Sequence, residues 1–445
     1  MPRPLALLYA AFAVGLLALC AGGCIVVEPN YDKAPPGVYR AIFHLDGRQS
    51  QRVEPDDVAK AFALDDVPQG ELPVNFELSY RADSTLDIVF VNGDERIEAD
   101  EVEFVRLFSS ARDSITVRFP LNDSYITGYH EDGIIEGVFV DESRGDYAIP
   151  FTAFHGEDYR FSQLAKEPAA DLTGRWATTF GVDDETEAYP AIAEFEQDGN
   201  HLAGTFLTTT GDYRYLDGTV QADRFYLSTF DGGHVFLFAG KILEDGSLLG
   251  IFRSGNHYQT IWEATRDAGA TLASAEAETV ITDAGPVAVV GFDPSSGRAV
   301  SVLDEPYAAG RYKVLSLMGS WCPNCRDEAV YLDSLRETLP EERVAIIGMA
   351  YERMRDTSRA LTAVERFREN LDIGYPIVLA GDASKANATE ALGFVEEVKS
   401  FPTLLVLTPD NRIVYTHTGF TGPATSEYGT FTRHFADTLR QIIAR

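Results

Sequence analysis

The sequence divides into two fold classes, an all-β antiparallel barrel or sandwich region over residues 37–265 and an α/β region over residues 286–445. Three observations predict the division. Short runs that alternate apolar and polar residues fill the first part, among them Phe76-Glu77-Leu78-Ser79-Tyr80 and Ser114-Ile115-Thr116-Val117-Arg118-Phe119, and each reads as a half-buried strand. From Gly291 onward, apolar strand-like runs alternate with helical spacings instead. Between the two textures, Asp267 to Glu278 is dominated by small residues and carries no strand pattern.

The chain has 445 residues, enough for two or three domains with their own cores. With 45% hydrophobic and 24% charged residues its composition is that of a globular protein, but its net charge is -32. A polyanion is repelled by nucleic acid and by anionic lipid, so neither is a partner held by bulk electrostatics. The acidity fits adaptation to salt. Four cysteines are present, Cys20, Cys24, Cys322 and Cys325, and two of them lie at the N-terminus, which excludes a disulfide framework.

Residues 1–24 read as an export signal: Arg3, an apolar run from Leu5 to Leu19, and the small residues Ala21-Gly22-Gly23 before Cys24. The apolar run is short for a membrane-spanning helix. Ala21-Gly22-Gly23-Cys24 resembles the cleavage site of bacterial lipoproteins, which implies lipidation of Cys24 and a membrane anchor. Residues 25–36, rich in proline, read as a flexible tether.

Two β-rich units are expected in the middle of the chain, over 37–165 and 172–265. Asn92-Gly93-Asp94, Asp132-Gly133, Asp198-Gly199-Asn200, Asp217-Gly218, Asp231-Gly232-Gly233 and Asp245-Gly246 supply the left-handed residues that hairpins need. Ile135-Glu136-Gly137-Val138-Phe139 with Gly145-Asp146-Tyr147, and Leu202-Ala203-Gly204-Thr205-Phe206 with Gly211-Asp212-Tyr213, suggest a weak internal repeat. Gly174-Arg175-Trp176 would open the second unit and Trp262 close it. His44, His130, His155, His201, His234 and His257 are scattered without metal-ligand spacing, so they read as turn and edge histidines. Asp231-Gly232-Gly233-His234 is the one cluster placed to face a barrel mouth. A linker follows over 266–285, with some helix expected in it.

Trp321-Cys322-Pro323-Asn324-Cys325 is the chemically distinctive stretch. Two cysteines with two residues between them, after an aromatic residue, suit a surface-exposed turn at the start of a helix and read as a redox site. Half of a metal site and two unrelated buried thiols remain as the competing readings. A buried strand, Tyr312 to Met318, precedes the pair, and a helix follows with Ala329, Leu332, Leu335 and Leu339 on one stripe and Pro340 as its stop. The strand Val344 to Ala350 completes a right-handed βαβ unit. Then come a helix through Ala363 to Phe367, a strand at Tyr375 to Leu379, a helix near Ala386 to Leu392, Phe401-Pro402-Thr403, a hairpin through Pro409-Asp410-Asn411, and an amphipathic helix with Phe431, Phe435, Leu439 and Ile442.

That order, with the dithiol motif before the first helix, Glu328 three residues after Cys325 and the Pro402-Thr403 pair leading into a hairpin, resembles the thioredoxin fold. In particular it resembles the TlpA/ResA-like thiol-disulfide oxidoreductases. The resemblance implies that Cys322 is the nucleophile, its thiolate favoured at a helix N-terminus, and that Cys325 resolves the mixed disulfide. It also implies that Pro402 is a cis-proline facing the dithiol and that Glu328 exchanges a proton with Cys325. Trp321, Pro323, Asn324 and Thr403 would be the redox-site neighbours. Three features depart from the pattern: Leu317-Met318-Gly319 stand where relatives usually carry an aromatic pair and alanine, Ser316 stands where they often carry a buried acid or amide, and Asn324 replaces a proline common between the cysteines.

The function expected is that of an exported oxidoreductase exchanging disulfides with protein substrates through Cys322 and Cys325, as a reductant. It would need no cofactor beyond the dithiol and no metal, and would draw electrons from a membrane donor of the DsbD type. It would sit on the periplasmic side of a bacterial cell envelope, anchored through Cys24. The alternatives are a copper chaperone that uses the same dithiol, with His417 as a further ligand, and a ligand-binding β module with an accessory redox domain.

Overall fold

In the computed structural model, residues 34–45, 70–99, 101–107, 112–145, 147–184, 186–273, 279–282 and 285–445 are described. The leader, Cys20, Cys24 and the tether up to residue 33 lie outside the described residues. The end of the tether is docked: Ala34 is buried, and the Pro35 and Ala34 carbonyls accept the hydroxyls of Tyr39 and Tyr80, each at 2.9 Å.

The alternating runs fold as antiparallel strands, because each has one apolar face to bury. The first nine are β1 (Gly37–His44), β2 (Glu71–Tyr80), β3 (Leu86–Asn92), β4 (Glu95–Glu98), β5 (Glu101–Leu107), β6 (Arg112–Phe119), β7 (Ser124–Glu131), β8 (Ile134–Asp141) and β9 (Tyr147–His155). They form one sheet in the order β4-β3-β2-β1-β9-β8-β7-β6-β5, with β1 paired to both β2 and β9 and the two edges left to β4 and β5.

The second nine are β10 (Gly174–Phe180), β11 (Tyr189–Asp198), β12 (His201–Thr208), β13 (Gly211–Asp212), β14 (Leu216–Gln221), β15 (Arg224–Phe230), β16 (Val235–Ile242), β17 (Leu248–Ser254) and β18 (Tyr258–Arg266). Here the sheet closes. β10 pairs with β18, bringing Phe180 opposite Trp262, and β11 pairs with β12, so eight strands make an up-and-down barrel with the short β13 added on β12. Phe180, Phe195, Phe206, Phe225, Phe238, Phe252 and Trp262 are all buried and fill the interior, as expected for a barrel of this strand number. Phe206 and Phe238 stack at 4.7 Å. That filling leaves the ligand-binding reading of the β region without support.

The two β units share a core. Phe230, at the end of β15, leaves the barrel and enters the first sheet, where its ring lies 4.9 Å from Phe90, 5.1 Å from Phe43 and 5.5 Å from both Phe119 and Phe139. Asn92 pins it there, donating to the Phe230 carbonyl at 2.9 Å and accepting its N–H at 3.2 Å. The buried Arg160 guanidinium spans the same junction, donating to the Val91 carbonyl, the Asn92 side chain and Ser228. The expected repeat has no counterpart in strand order. Ile135–Phe139 belongs to β8, next to last in its unit, whereas Leu202–Phe206 belongs to β12, third in its own; hairpin alternation and Gly-Asp turn chemistry account for the likeness.

The linker packs at both ends. Ala270 and Leu272 join Ile192 and Leu207 in a small apolar cluster, and Ile281 bridges to Val395. No helix occurs among its described residues, and residues 274–278, 283 and 284, on which part of the expected helix would fall, lie outside the description.

The α/β part comprises β19 (Val290–Phe292), β20 (Ala299–Ser301), β21 (Tyr312–Met318), α1 (Pro323–Arg336), β22 (Val344–Glu352), α2 (Thr357–Asn370), β23 (Ile377–Asp382), α3 (Lys385–Leu392), β24 (Thr403–Leu407), β25 (Ile413–Thr418) and α4 (Tyr428–Ile443). Its sheet runs β20-β19-β23-β22-β21-β24-β25, with β21, β22 and β23 parallel and β24 antiparallel to β21. All-β followed by α/β is the architecture expected from the sequence.

Candidate active site

β21 ends at Met318, and the chain enters α1 after only four residues. Trp321 fixes that turn: its indole N–H donates to the Tyr351 carbonyl at 2.9 Å, its ring meets Phe401 edge-on at 6.1 Å, and the Arg353 guanidinium lies 4.0 Å above its face. Cys322 is the N-cap of α1, in an extended conformation, and its Sγ accepts the Cys325 N–H at 3.2 Å. Pro323 takes the first helical position, where the missing N–H is no loss. Cys322 and Cys325 are joined as a disulfide, with their Cα atoms 5.2 Å apart.

Below the dithiol, the three-residue spacing carries Glu328 onto the face that α1 turns to the sheet, beside Ala329 and Leu332. Glu328 is 0% exposed. Ser316 on β21 donates its hydroxyl to Oε1 at 2.5 Å, and Oε2 has no protein partner. Burial pushes the Glu328 carboxyl up to about 8, against the pull of the Ser316 hydrogen bond. A solvated first-turn carboxylate is therefore excluded: at neutral pH Glu328 holds a proton in a dry place one turn from Cys325. Ser316, the departure noted in the sequence, is its one hydrogen-bond donor.

On the opposite side of the sulfurs, the Phe401–Pro402 peptide bond is cis and the Phe401 carbonyl oxygen stands 3.5 Å from Cys322 Sγ. The Pro402 carbonyl accepts the Gly419 N–H at 2.8 Å, and the buried Thr403 donates to the Ser400 carbonyl at 2.9 Å. The structure thus assembles Trp321, Cys322, Pro323, Asn324, Cys325, Glu328, Pro402 and Thr403 in one place. Cys24 lies outside the described residues.

The dithiol does not lie on an exposed turn, as the sequence suggested. Cys322 is 5% and Cys325 1% exposed: Cys325 packs in the Redoxin domain's own core, and residues of both β units lie over Cys322. A space of ≈ 30 Å³ remains above Cys322, lined by Ile97, Leu121 and Asn122 from the first sheet and Arg214 and Asp231 from the barrel. The Asp231 turn therefore faces the dithiol and not a barrel mouth. Burial pushes its carboxyl up, but His234 at 3.0 Å and the amide hydrogens of its own turn overcome this and hold it well below the usual carboxylate range.

Arg214 and Asp212 were not singled out from the sequence. Arg214, at φ +58°, pairs with Glu95 of β4 and with Asp327 of α1 at 2.6 Å, and donates to the Pro323 carbonyl at 3.2 Å. Burial works against its charge, and Asp327 and Glu95 outweigh that penalty. Asp212 accepts the Arg214 and Gly422 N–H groups, each at 2.7 Å; burial and the neighbouring Asp327 push its carboxyl up to about 6. Glu352 was missed as well. It is buried under the Trp321 turn and accepts the Ser320 N–H at 2.9 Å and hydroxyl at 2.7 Å. Only the Gly211-Asp212-Tyr213 stretch had attracted notice, as part of the supposed repeat.

Among the described residues no group of three or more His, Cys, Asp or Glu side chains is placed to hold a metal ion. His417 packs its ring against Phe431 at 4.9 Å. A copper site draws no support from either observation.

Residues 288–430 match the Redoxin family. Thiol-disulfide oxidoreductase ResA of Bacillus subtilis (strain 168) is 21% identical over 128 residues, which are 29% of this chain and 63% of that protein; the chain thus spans under two thirds of this curated relative. Similar solved structures include a DsbF homologue from Corynebacterium diphtheriae, 21% identical with a TM-score of 0.28, covering 37% of this chain and 97% of that one. StoA from Bacillus subtilis is 20% identical with a TM-score of 0.25, covering 35% and 98%. With a strand, dithiol, helix and cis-proline in this order and a Redoxin match across them, the C-terminal part of this chain is a thioredoxin-fold Redoxin domain, similar to the TlpA/ResA-like thiol-disulfide oxidoreductases.

Proposed function

We propose that this protein is an exported thiol-disulfide oxidoreductase that reduces disulfides in other proteins. The observation that carries the reading is the placement of Cys322 as the N-cap of α1, opposite Pro402 and one turn from the buried Glu328. In the reduced enzyme the α1 amide groups favour the Cys322 thiolate. That thiolate attacks a substrate disulfide, forming a Cys322–substrate disulfide and releasing one substrate thiolate. Cys325 then gives up its proton, attacks Cys322 Sγ and releases the second substrate thiolate. Two electrons pass from the dithiol to the substrate and Cys322–Cys325 re-forms. Glu328 in its ionised form takes the Cys325 proton, and its raised affinity for protons keeps the exchange within reach of neutral pH.

A membrane donor of the DsbD type would restore the dithiol, and lipidation of Cys24 would hold the enzyme on the periplasmic side of a bacterial cell envelope. The ResA-like relative supports the activity, and the leader sequence supports the location. Insulin reduction with dithiothreitol as electron source tests the chemistry. Cys322→Ser abolishes turnover, and Cys325→Ser accumulates a mixed disulfide visible by mass spectrometry; turnover retained in both variants would sink the proposal. For the anchor, Cys24→Ser releases the protein from the membrane fraction.

A further inference from the structure

The face of the Redoxin domain that a substrate must reach is already occupied by a segment of this chain. Thr210 to Arg214, where β12 turns through β13 toward β14, lies across the start of α1 and the loop between β25 and α4. Its contacts are specific and almost all polar. The Asn324 amide donates to the Asp212 carbonyl at 3.2 Å, the Gly422 N–H donates to the Asp212 carboxylate, and Arg214 reaches the Asp327 carboxylate and the Pro323 carbonyl. Two glycines permit the approach. A Cβ on Gly211 would stand 2.2 Å from the Asn324 amide nitrogen, and one on Gly419, at φ +79°, would stand 2.5 Å from the Thr210 carbonyl carbon. Asn324 also gains a purpose: its side-chain amide is the donor that holds the Asp212 carbonyl.

We propose that Thr210–Arg214 is an intramolecular stand-in for substrate, which keeps bulky disulfides off Cys322 and marks the kind of segment the enzyme accepts. That kind is an extended protein segment with a carboxylate two residues before an arginine, read by Asn324, the Gly422 amide and Asp327. The idea rests on the oxidoreductase reading. The ≈ 30 Å³ left above Cys322 admits a water-sized molecule and no polypeptide, so the stand-in, together with Ile97, Leu121 and Asn122 beside it, must move off before a protein disulfide enters. Its seam with the Redoxin domain is suited to leaving, since each group that parts from its partner finds water.

Alkylation of the reduced, full-length protein tests the occlusion without requiring turnover. Iodoacetamide and a polyethylene-glycol maleimide are compared for their rates at Cys322, read by peptide mass spectrometry. The wild type discriminates against the bulky reagent, and Asp212→Asn with Arg214→Gln raises the bulky-reagent rate about tenfold while the iodoacetamide rate changes less than about threefold. A peptide of residues 209–215 restores protection to the variant and slows insulin reduction by the wild type, whereas the same peptide with Asp212 and Arg214 exchanged does neither. Equal access of both reagents to wild-type Cys322, or equal action of the two peptides, overturns the proposal. If the double variant does not fold, the wild-type alkylation ratio and the peptide pair still decide the question. Absence of insulin reduction from all samples would strike the oxidoreductase reading, while the alkylation ratio would still report on the stand-in.

Discussion

Two seams hold the β region in place, and they are made of different materials. The seam between the two β units is apolar at its centre: Phe230 of the barrel is surrounded by Phe43, Phe90, Phe119 and Phe139 of the first sheet. The seam between the β region and the Redoxin domain is mostly polar and charged, with Leu121 as its apolar point: Arg214 with Asp327, Arg175 with Glu427 at 2.5 Å, Glu194 with Ser426 at 2.7 Å, and Arg359 with Asp123. Separating the first exposes aromatic surface and leaves a socket, whereas separating the second hands charged groups to water. The β units are thus built as one body, and the dithiol sits on the side where the molecule can part.

The largest predicted effect breaks the apolar seam. Phe230→Ala removes the shared ring and costs about 3–5 kcal/mol, read as a lower denaturant midpoint with the two β units losing their joint transition. A midpoint within error of the wild type would mean that the units do not depend on each other.

Next comes the contrast across the sulfurs themselves, with charged Arg214 and Asp327 above and uncharged Glu328 below. Glu328→Gln leaves the volume but removes the proton acceptor, slowing the Cys325 step about 10²-fold in stopped-flow measurements while mixed-disulfide formation is little changed. The same variant has a stability signature. Folded Glu328 keeps its proton up to about 8, while the unfolded chain has released it by about pH 5, so on its account the oxidised protein loses stability as pH rises through that window. Glu328→Gln flattens this loss, which denaturant midpoints at pH 5 and pH 8 would show.

The smallest effect belongs to the polar seam. Arg359→Ala breaks a pair whose arginine is half exposed, and costs about 0.2–1 kcal/mol in global stability. A loss several times larger would show that this seam, too, is permanent.

Local patterns carried much of the fold, and they failed where a second surface was involved. The dithiol and the order of strands and helices in the Redoxin domain are local, so periodicity and spacing exposed them, whereas Pro402 came only from the resemblance to TlpA/ResA-like proteins. Closure of the barrel depends on β10 meeting β18 across the length of the unit, which no local pattern records. On β15, however, a signal existed. Arg224-Phe225-Tyr226-Leu227-Ser228-Thr229-Phe230 is buried at nearly every position instead of alternating, since Phe225 and Leu227 face the barrel while Tyr226 and Phe230 face the first sheet. A strand that is apolar on both sides announces a neighbour on both sides. Arg214 and Asp212 gave no such sign, because a charged residue in a turn reads as solvated until another domain is laid over it. Glu328 was recognisable by the resemblance, but its burial comes from the packing of α1 on the sheet, and its hydrogen-bond partner Ser316 lies twelve residues earlier on another element.

The Phe230 contact has a consequence for how the chain comes to be folded. Synthesis proceeds from the N-terminus, so β1 to β9 emerge well before Phe230 does. Until the barrel strand arrives, the four phenylalanines of the first sheet frame an unfilled aromatic socket, and this half of the protein has to wait, sticky and incomplete, for a side chain it does not own.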